Sequence, residues 1–337
     1  MTIDHTLLFQ KRFSQPDNWR WHHFKSATGH KIRFGSVFPK DKIPEAVVVC
    51  LPGFREFGEK YFELAHDMLE RNIGFWVIDW AGQGQSDRLL PNDPLKVHSL
   101  GIEKNVQDLD QFLNDYVKPA AVHPDVGRLP VFLIGHSMGA HIGLRFMHKY
   151  SSNLVRGAAF SAPLVAIRQF ARYPAFLVKL LSMYIRMSSE SYIPGGEKMA
   201  ELAREAAPGT GFYSSDPDRD QLHRNWFMHQ ETLRVNGPTY GWLAETLKSC
   251  LILQKKSYLR KIELPVLIAT AEKDFIVSSK ATKKLVSRLP NGELLELPDA
   301  QHEIFMERDD IRNKFLAKFD EFIHRTVLSR EDRLKKF

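Results

Sequence analysis

Apolar residues occur along the chain in short runs that predict buried strands. These runs are "AVVVCL", "GFWVID", "PVFLIG", "VRGAAF", "PVLIAT" and "ELLEL". Continuous runs of Val, Ile and Leu are typical of strands buried on both faces. Most runs are followed by a stretch with helical spacing, such as "YFELAHDMLERN" or "IEKNVQDLDQFLNDYV". This alternation predicts an α/β fold with a mostly parallel central sheet of about eight strands and helices on both faces.

The beginning of the chain follows a different pattern, in which apolar and polar residues alternate. The two segments concerned are "WRWHHFK" and "KIRFGSVF". Such alternation is typical of strands that have one face in solvent, and two of them in succession predict an antiparallel hairpin. We therefore expect a hairpin at one edge of the sheet.

The alternation of strands and helices stops after "SAPL" at 161–164 and resumes with "PVLIAT" at 265–270. Between them lie two helical patterns, "YPAFLVKLLSMYIRM" and "YGWLAETLKSCLIL", and two stretches rich in Gly, Pro and Ser. This part is too long for a loop in a compact sheet protein. We interpret 163–250 as an inserted helical cap that could act as a lid, and 1–162 with 251–337 as the core.

The composition is that of a globular protein with a sizeable apolar interior. The chain has 337 residues, of which 43% are hydrophobic and 26% charged, and its formal net charge is +7. Because the positive charges are not gathered in one arm or stripe, we expect no nucleic-acid partner. Contact with an anionic membrane surface and ordinary solubility both stay open as reasons for the positive charge.

The sequence has no feature that predicts secretion or a membrane span. The segment "MTIDHTLLFQKRF" lacks an apolar stretch of secretory length, and no window reaches the roughly 18 apolar residues of a spanning helix. We therefore expect a cytoplasmic protein, or one attached peripherally to the membrane from that side. The two cysteines, Cys50 and Cys250, do not suggest a disulfide framework, although a bond between them stays open.

One strand–turn–helix segment carries a candidate nucleophile. The strand "VFLI" is followed by "GHSMG" at 135–139 and then by the helical stretch "AHIGLRFMHKY". A serine between two glycines in this setting matches the nucleophile elbow, a sharp turn in which bulky neighbours do not fit. We therefore expect Ser137 to be a nucleophile. The alternative is an incidental serine in an ordinary turn.

A serine nucleophile needs a base, and the base needs an acid that orients it. In this kind of site the residues follow along the chain in the order Ser, Asp or Glu, His. Asp274 comes just after the strand "PVLIAT", and His302 lies in the loop after "ELLEL". Both positions fall at the carboxyl edge of the sheet, where α/β proteins build their sites, so we predict Asp274 as the acid and His302 as the base. Glu272 and Asp299 are the competing acids, and His136 is expected to shape the turn.

The same chemistry needs two N–H donors for the oxyanion that develops during acyl transfer. The backbone N–H of Met138, the residue after the serine, is one candidate. The loop "PGFREFGEKY" after "AVVVCL" contains the other candidate, the backbone N–H of Phe54. No cluster of His, Cys, Asp and Glu has the spacing of metal ligands, so we expect neither a metal nor another cofactor.

These motifs and others between about residues 45 and 310 resemble a known family. They are "PGFREFGEKYFELAHDML", "WVIDWAGQGQSDRLL", "GHSMGAHIGLRF", "SAPL", "RVNGPTYGWLAETL", "AEKDFIV" and "HEIFME". They resemble the α/β-hydrolases of the serine lipase group, in particular the bacterial lysophospholipases and the monoacylglycerol lipases. The resemblance implies the α/β-hydrolase fold and a catalytic triad of Ser137, Asp274 and His302. It also implies that Phe54 and Met138 are the oxyanion donors.

The loop that contains Phe54 departs from the pattern of many family members. Where they have His-Gly, this chain has Pro52-Gly53. The bacterial lysophospholipase branch is similar to this chain there, and "GPTYGWL" in the predicted cap also resembles that branch. The resemblance therefore favours a lysophospholipase.

The predicted cap contains a basic and apolar stretch, "RQFARYPAFLVKLLSMYIRM". Its cations are Arg168, Arg172, Lys179 and Arg186, and no acidic residue occurs from 164 to 187. A basic helix with an apolar side can rest on anionic lipid and pass an acyl chain inward. The alternative is that the apolar side covers the core and the charges are solvated.

We expect a cofactor-free serine hydrolase that cleaves a single-chain lipid ester, with a lysophospholipid as the first choice and a monoacylglycerol as the second. A transacylase would use the same residues and pass the acyl group to an alcohol. Hydrolases of C–C and carbon–halogen bonds share the fold, but the halogen and epoxide enzymes generally have Asp in place of Ser137. A non-catalytic lipid-binding protein is the alternative from a different class.

Overall fold

The structure is a computed structural model that describes residues 5–40, 42–150, 154–199, 201 and 213–334. Residues 202–212 of the predicted cap lie outside the described residues. They include the beginning of its second Gly- and Pro-rich stretch. The described chain contains one large sheet with helices around it.

Ten strands are present in the described chain, and eight of them form the large sheet. The strands are β1 (Arg20–Lys25), β2 (Lys31–Val37), β3 (Ala46–Leu51), β4 (Ile73–Ile78), β5 (Val122–His123), β6 (Gly127–Arg128), β7 (Val131–His136), β8 (Val155–Ser161), β9 (Val266–Ala271) and β10 (Gly292–Leu297). The large sheet has the order β1-β2-β4-β3-β7-β8-β9-β10, and β5 pairs with β6 alone.

The direction of pairing divides the large sheet into an antiparallel end and a parallel body. β1 pairs with β2, and β2 with β4, in antiparallel ladders. Every other pair of neighbours in this sheet is parallel. This topology confirms the predicted fold class and the predicted hairpin at one edge.

The centre of the sheet is apolar on both faces, as the continuous hydrophobic runs predict. All six residues of β3, β4, β7 and β9 are buried. The edge strand β10 is only partly buried. Parallel strands covered on both faces leave their carboxyl ends as the place where loops can carry chemistry.

Helices connect and cover the strands. They are α1 (Phe62–Glu70), α2 (Ile102–Phe112), α3 (Lys118–Ala120), α4 (Ser137–Lys149), α5 (Ala175–Ile185), α6 (Pro217–His229), α7 (Tyr240–Leu253), α8 (Lys256–Leu259), α9 (Ser279–Val286) and α10 (Asp309–Leu334). A π-helical turn (Leu113–Val117) joins α2 to α3. Within the described ranges, no helix combines the length and the apolar character that crossing a bilayer requires.

Several helices begin where the sequence supplies a capping side chain. Asp216, Thr239 and Ser278 precede α6, α7 and α9, and each accepts a backbone N–H from the first turn of its helix. Such caps satisfy N–H groups that have no partner within the helix. The start of each of these helices is therefore determined by local sequence.

The chain between β8 and β9 is helical, and both helices expected there are present as α5 and α7. Val178 and Ile185, seven residues apart on α5, pack against Ala244 and Leu247 of α7. This spacing places both α5 residues on one side of the helix. The limits of a separate cap domain at 163 and 250 stay a prediction.

The first residues of this inserted chain are tied to loops of the sheet. The N–H of Leu164 donates to the carbonyl oxygen of Ser137 at 3.0 Å, and the N–H of Arg168 donates to that of Ile276 at 2.8 Å. The stretch 164–168 is therefore hydrogen-bonded to the turn at Ser137 and to the loop that follows β9.

The two cysteines lie in the kinds of element that the sequence predicts. Cys50 is a buried residue of β3, and Cys250 is a buried residue of α7. Both are free thiols, so the disulfide between them that stayed open at the level of sequence is not formed.

Candidate active site

Ser137 lies at the sharp turn where β7 ends and α4 begins. Its φ angle is 49°, which falls in the left-handed region that residues other than glycine rarely adopt. A strained backbone at this position is typical of a nucleophile elbow, which directs the serine hydroxyl away from the sheet. The local geometry therefore matches the turn that the pentapeptide predicts.

The glycines on either side of Ser137 are explained by close packing. A Cβ atom at Gly139 would lie 2.0 Å from the carbonyl oxygen of Leu51, because the first turn of α4 packs directly on the end of β3. A Cβ atom at Gly135 would lie 3.1 Å from the backbone nitrogen of Ala140, which is a tight contact. The requirement for glycine is therefore strict at 139 and weaker at 135.

The side chains of Ser137, His302 and Asp274 form one hydrogen-bonded chain. His302 Nε2 is 3.0 Å from Ser137 Oγ, and His302 Nδ1 is 2.7 Å from Asp274 Oδ2. All three side chains are buried. Three residues far apart in sequence are thus brought together at the carboxyl ends of β7, β9 and β10.

The charge on Asp274 is fixed by its surroundings. Its Oδ1 accepts the N–H groups of Ile276 and Val277 at 2.8 and 2.9 Å. Burial alone would raise the pKa of this carboxyl, but the facing His302 and these hydrogen bonds hold the pKa below its usual value. Asp274 therefore stays ionised at neutral pH and can orient the imidazole.

The pKa of the His302 imidazole is shifted in the opposite direction. Burial alone would lower its pKa, but the Asp274 carboxylate raises the pKa above 6.5. Because Asp274 accepts from Nδ1, the neutral ring presents an unprotonated Nε2 to the serine hydroxyl. This is the tautomer that a general base requires.

The competing acids lie in surface ion pairs. Glu272 is 3.1 Å from Lys283, and Asp299 is 3.0 Å from Lys273 with 62% of its side chain exposed. The structure therefore brings Asp274, and neither of these carboxylates, to His302.

His136, the residue before the serine, lies beside the site. Its ring centre is 4.7 Å from that of His302, and its Nδ1 is 3.3 Å from Ser161 Oγ. Burial lowers its pKa to about 3, so the ring is neutral. It is not hydrogen-bonded to Ser137 in the described structure, which agrees with a role in shaping the turn.

The two candidate oxyanion donors lie at the start of α4 and in the loop after β3. Met138 is the second residue of α4, and N–H groups in the first turn of a helix have no acceptor within that helix. Phe54 lies in the loop after β3, hereafter the β3 loop (52–57), and its ring packs 4.3 Å from that of Trp242 in α7. The candidate donor loop therefore contacts the inserted helices.

The β3 loop is held by Gln83, which the sequence reasoning missed. The Gln83 side chain donates to the carbonyl oxygens of Gly53 and Glu56 at 2.7 and 2.9 Å and accepts the N–H of Arg55 at 3.1 Å. It is almost completely buried. The signal that could have identified it is its place in "AGQGQS", in the loop that follows the carboxyl end of β4.

A second group that the sequence reasoning missed consists of Glu56, Lys60 and Glu303. The carboxylates of Glu56 and Glu303 and the ring of His136 offer ligand atoms within 4.8 Å of one another, a spacing at which a metal could be held. The Lys60 ammonium, however, lies 2.7 Å from a carboxylate oxygen of each glutamate. A cation of the chain itself therefore sits between the two carboxylates.

A known protein family matches most of the chain. The family model described as serine aminopeptidase, S33, matches residues 42–309, a range that includes Ser137, Asp274 and His302. The chain belongs to this family. The match confirms the predicted resemblance to the α/β-hydrolases with a serine nucleophile.

Relatives and solved structures agree with this assignment. Lysophospholipase L2 of Escherichia coli is 27% identical to this S33 hydrolase over 83% of the chain and 81% of the relative. The probable lysophospholipase L2 of Haemophilus influenzae is 24% identical over 87% and 88%. A soluble variant of monoglyceride lipase from Saccharomyces cerevisiae, solved with a substrate analog, has a TM-score of 0.68 at 18% identity, over 94% of this chain and 97% of that one. The predicted fold and the predicted class, a carboxylic ester hydrolase, are confirmed.

Proposed function

We propose that this S33 hydrolase releases the fatty acid of a lysophospholipid through an acyl-enzyme on Ser137. The observation that carries the proposal is the unbroken hydrogen-bonded chain from Ser137 through His302 to Asp274. The choice of a lysophospholipid is supported by the lysophospholipase L2 relatives. A monoacylglycerol is the second candidate, because it presents the same ester without a phosphate.

Acylation begins when Ser137 Oγ attacks the acyl carbonyl carbon and His302 Nε2 takes the hydroxyl proton. Asp274 holds the ring and stabilises the imidazolium that forms. The backbone N–H groups of Phe54 and Met138 donate to the developing oxyanion. His302 then gives its proton to the glycerol oxygen, the ester C–O bond breaks, and Ser137 remains acylated.

Deacylation repeats these steps with water in place of the serine. His302 Nε2 takes a proton from the water, whose oxygen attacks the acyl carbon. The intermediate collapses, the proton returns to Ser137 Oγ, and the fatty acid leaves. An alcohol bound in place of water would give acyl transfer, so the balance between hydrolysis and transfer depends on which acceptor enters.

The test of this proposal is a fatty acid release assay with three substrates of equal chain length: lysophosphatidylcholine, lysophosphatidylethanolamine and monoacylglycerol. We expect the two lysophospholipids to be cleaved with the higher kcat/KM. Ser137→Ala is the blank and should lower kcat by about 10⁴- to 10⁶-fold, because the nucleophile is lost and only binding and the oxyanion donors remain.

The outcomes separate the candidate functions. Faster release from monoacylglycerol would replace the lysophospholipid by the second candidate. Recovery of the acyl chain on an added lipid alcohol would identify a transacylase. If a fluorophosphonate probe failed to label Ser137 in folded protein, the catalytic proposal itself would be wrong and the non-catalytic lipid-binding alternative would stand.

We further propose that the outer face of α5 contacts the membrane from which the substrate comes. One side of α5, with Val178 and Ile185, is buried against α7. The other side and the flanking residues form a set of exposed apolar side chains, hereafter the outer apolar face. Its members are Tyr173, Phe176, Leu177, Leu180, Met183, Tyr184 and Met187.

The size of this face argues against the view that the apolar side of the stretch merely covers the core. Tyr184 is 73% exposed and Met187 is 84% exposed. A contiguous group of large apolar side chains in solvent is unfavourable unless another apolar phase covers it. A helix with such a face, lying in the lipid interface, would place the entrance to the site close to single-chain lipids.

The charges around this face favour an anionic bilayer as the partner. Arg172 and Lys179 are exposed, and the chain from 164 to 187 has no acidic residue. Arg168 donates to the carbonyl oxygen of Asp274 and Arg186 pairs with Glu245 at 3.2 Å, whereas Arg172 contacts its neighbour Tyr173, itself a member of the outer apolar face. Arg172 and Lys179 are therefore the pair that we assign to lipid headgroups.

A further inference from the structure

Lys60 is a buried lysine whose ammonium bridges two carboxylates from distant parts of the chain. Its Nζ is 2.7 Å from Glu56 Oε1 and 2.7 Å from Glu303 Oε1. The side chain of Lys60 is 1% exposed, that of Glu56 4% and that of Glu303 14%. Buried charges are costly unless they are paired, so an arrangement that buries three of them calls for an explanation beyond stability.

The first carboxylate, that of Glu56, holds the β3 loop. Its Oε2 accepts hydrogen bonds from the backbone N–H of Gly53 and from the hydroxyl of Tyr61. A Cβ atom at Gly53 would lie 2.8 Å from this oxygen, so the loop folds closely around the carboxylate. Phe54, the proposed oxyanion donor, follows Gly53 directly, and its position therefore depends on where Glu56 is held.

The second carboxylate belongs to Glu303, the residue after His302. The His302 ring is tied to Ser137 and Asp274, and the neighbouring Glu303 side chain is tied to Lys60. The ammonium therefore connects the loop that carries the base to the loop that carries the oxyanion donor.

The charge states of Lys60 and Glu56 support a permanent ion pair between them, whereas burial raises the pKa of Glu303 above its usual value. Burial alone would lower the pKa of Lys60, but Glu303 and Glu56 outweigh it and raise the pKa above its usual value. Burial alone would raise the pKa of Glu56, but Lys60 and His136 lower it to about 2. The ammonium and the Glu56 carboxylate are therefore both charged throughout the neutral pH range.

We propose that Lys60 is a positioning residue that sets the distance between the oxyanion donor at Phe54 and the base His302. It acts through Glu56 on one side and through Glu303 on the other, and it touches neither the substrate nor Ser137. The inference rests on the proposed function, because it concerns the geometry of acyl transfer. It assigns to the lysine the position between Glu56, His136 and Glu303 that a metal ion could otherwise take.

The experiment compares three variants at this bridge with a matched control. Lys60→Met removes the charge and keeps most of the length, Lys60→Arg keeps the charge, and Glu303→Gln keeps a hydrogen-bond acceptor for the ammonium. The control is Arg33→Met. Arg33 is another buried cation between two carboxylates, 2.6 Å from Glu59 and 2.5 Å from Asp79, and the chain places it on the antiparallel side of the sheet.

Each variant is assayed with a soluble short-chain ester for kcat and KM between pH 5 and 9, for the rate of fluorophosphonate labelling, and for thermal unfolding. Lys60→Met is expected to lower kcat by about a hundredfold with little change in KM, because a misplaced donor or base affects the transition state more than binding. Lys60→Arg should recover most of this loss. Arg33→Met should lower thermal stability without a comparable fall in kcat.

The pH profile supplies a readout that a merely structural role would not change. The titratable groups around His302 are Asp274, Glu303, Glu56, Lys60 and His136. Glu303 raises the pKa of His302, so Glu303→Gln should move the acidic limb of kcat/KM to lower pH. Lys60→Met leaves the carboxylates uncompensated and should move the limb to higher pH.

The inference is overturned if Lys60→Met and Arg33→Met lose kcat equally for the same loss of stability, or if the acidic limb stays in place in both bridge variants. Failure of the proposed function would look different. In that case the unmodified protein itself would neither hydrolyse the ester nor react with the fluorophosphonate.

Discussion

The edge of the sheet around Ser137 and the outer apolar face of α5 depart from the usual distribution of side chains in opposite directions. At the sheet edge, charged groups such as Glu56, Lys60 and Asp274 are buried. On α5, large apolar groups such as Tyr184 and Met187 are exposed. A protein that only had to be stable would place both kinds of group the other way round.

The two regions differ in how the unfavourable placement of their side chains is compensated. The buried charges at the sheet edge have partners within the chain, so their orientation is fixed before any substrate arrives. The outer apolar face of α5 is favourable only against another apolar phase. The charges of the first region are therefore compensated within the folded chain, whereas the proposed contact with lipid would be needed to cover the second.

The largest effect is expected when the charge of the buried acid is removed without a change of shape. Asp274→Asn should lower kcat by about 10⁴-fold, because an amide can donate to His302 Nδ1 and stabilise the wrong tautomer. Its oxygen can still accept the N–H groups of Ile276 and Val277, so the loop should persist. The measurement is hydrolysis of a soluble short-chain ester.

The control for this prediction is Asp299→Asn, which removes the same charge from a side chain that is 62% exposed. Its ion pair with Lys273 is a surface pair. Activity should therefore change by less than about twofold, and the free energy of unfolding by less than about 1 kcal/mol. A comparable loss of kcat in both variants would contradict the assignment of Asp274.

A smaller effect, on binding to vesicles, is expected at the outer apolar face of α5. Arg172→Gln with Lys179→Gln should weaken binding to vesicles that contain phosphatidylglycerol by roughly thirtyfold, since each cation near an anionic surface contributes about 1 kcal/mol. Hydrolysis of a soluble ester should not change. Co-sedimentation with vesicles measures the first quantity and a spectrophotometric assay the second.

The matched control for the vesicle experiment is Lys280→Gln with Lys284→Gln, two exposed lysines of the α9 region. This pair removes the same net charge from a helix outside the inserted segment. Equal weakening by both double variants would mean that overall charge, and not the outer face of α5, attracts the protein to lipid.

The smallest expected effect is a pH dependence of the activity that arises in the site around Ser137. The pKa of His302 is raised above 6.5, and the ring acts as a base only when neutral, so activity is lost as pH falls through that pKa. At pH 6.5 the value of kcat/KM on a soluble ester should be less than half of its plateau at higher pH. A midpoint below pH 6.5 would contradict the balance of charges described around the ring.

The fold and the central residues could be predicted from sequence because each depends on local signals. Runs such as "AVVVCL" identify strands, and the order of strand ends places Ser137, Asp274 and His302 at one edge. Glu272 and Asp299 stayed competing acids at the level of sequence, and the structure brings Asp274 to His302. Whether these three residues carry catalysis stays a proposal.

The bridge of Lys60 could not be predicted, because only half of it is local. Glu56 and Lys60 are four residues apart, a spacing that suggests contact, but Glu303 lies far along the chain. The exposed side of α5 could not be predicted either. This helix is apolar nearly all round, so the pattern does not tell which side packs on α7.

The hydrogen bonds of the stretch 164–168 have a consequence for any motion of α5. This stretch is fastened beside Ser137 and Ile276, whereas α5 begins only after Pro174. A displacement of α5 that kept these hydrogen bonds would have to bend the chain between Arg168 and Pro174. Such a displacement would leave the hydrogen bond from Leu164 to the backbone of Ser137 in place.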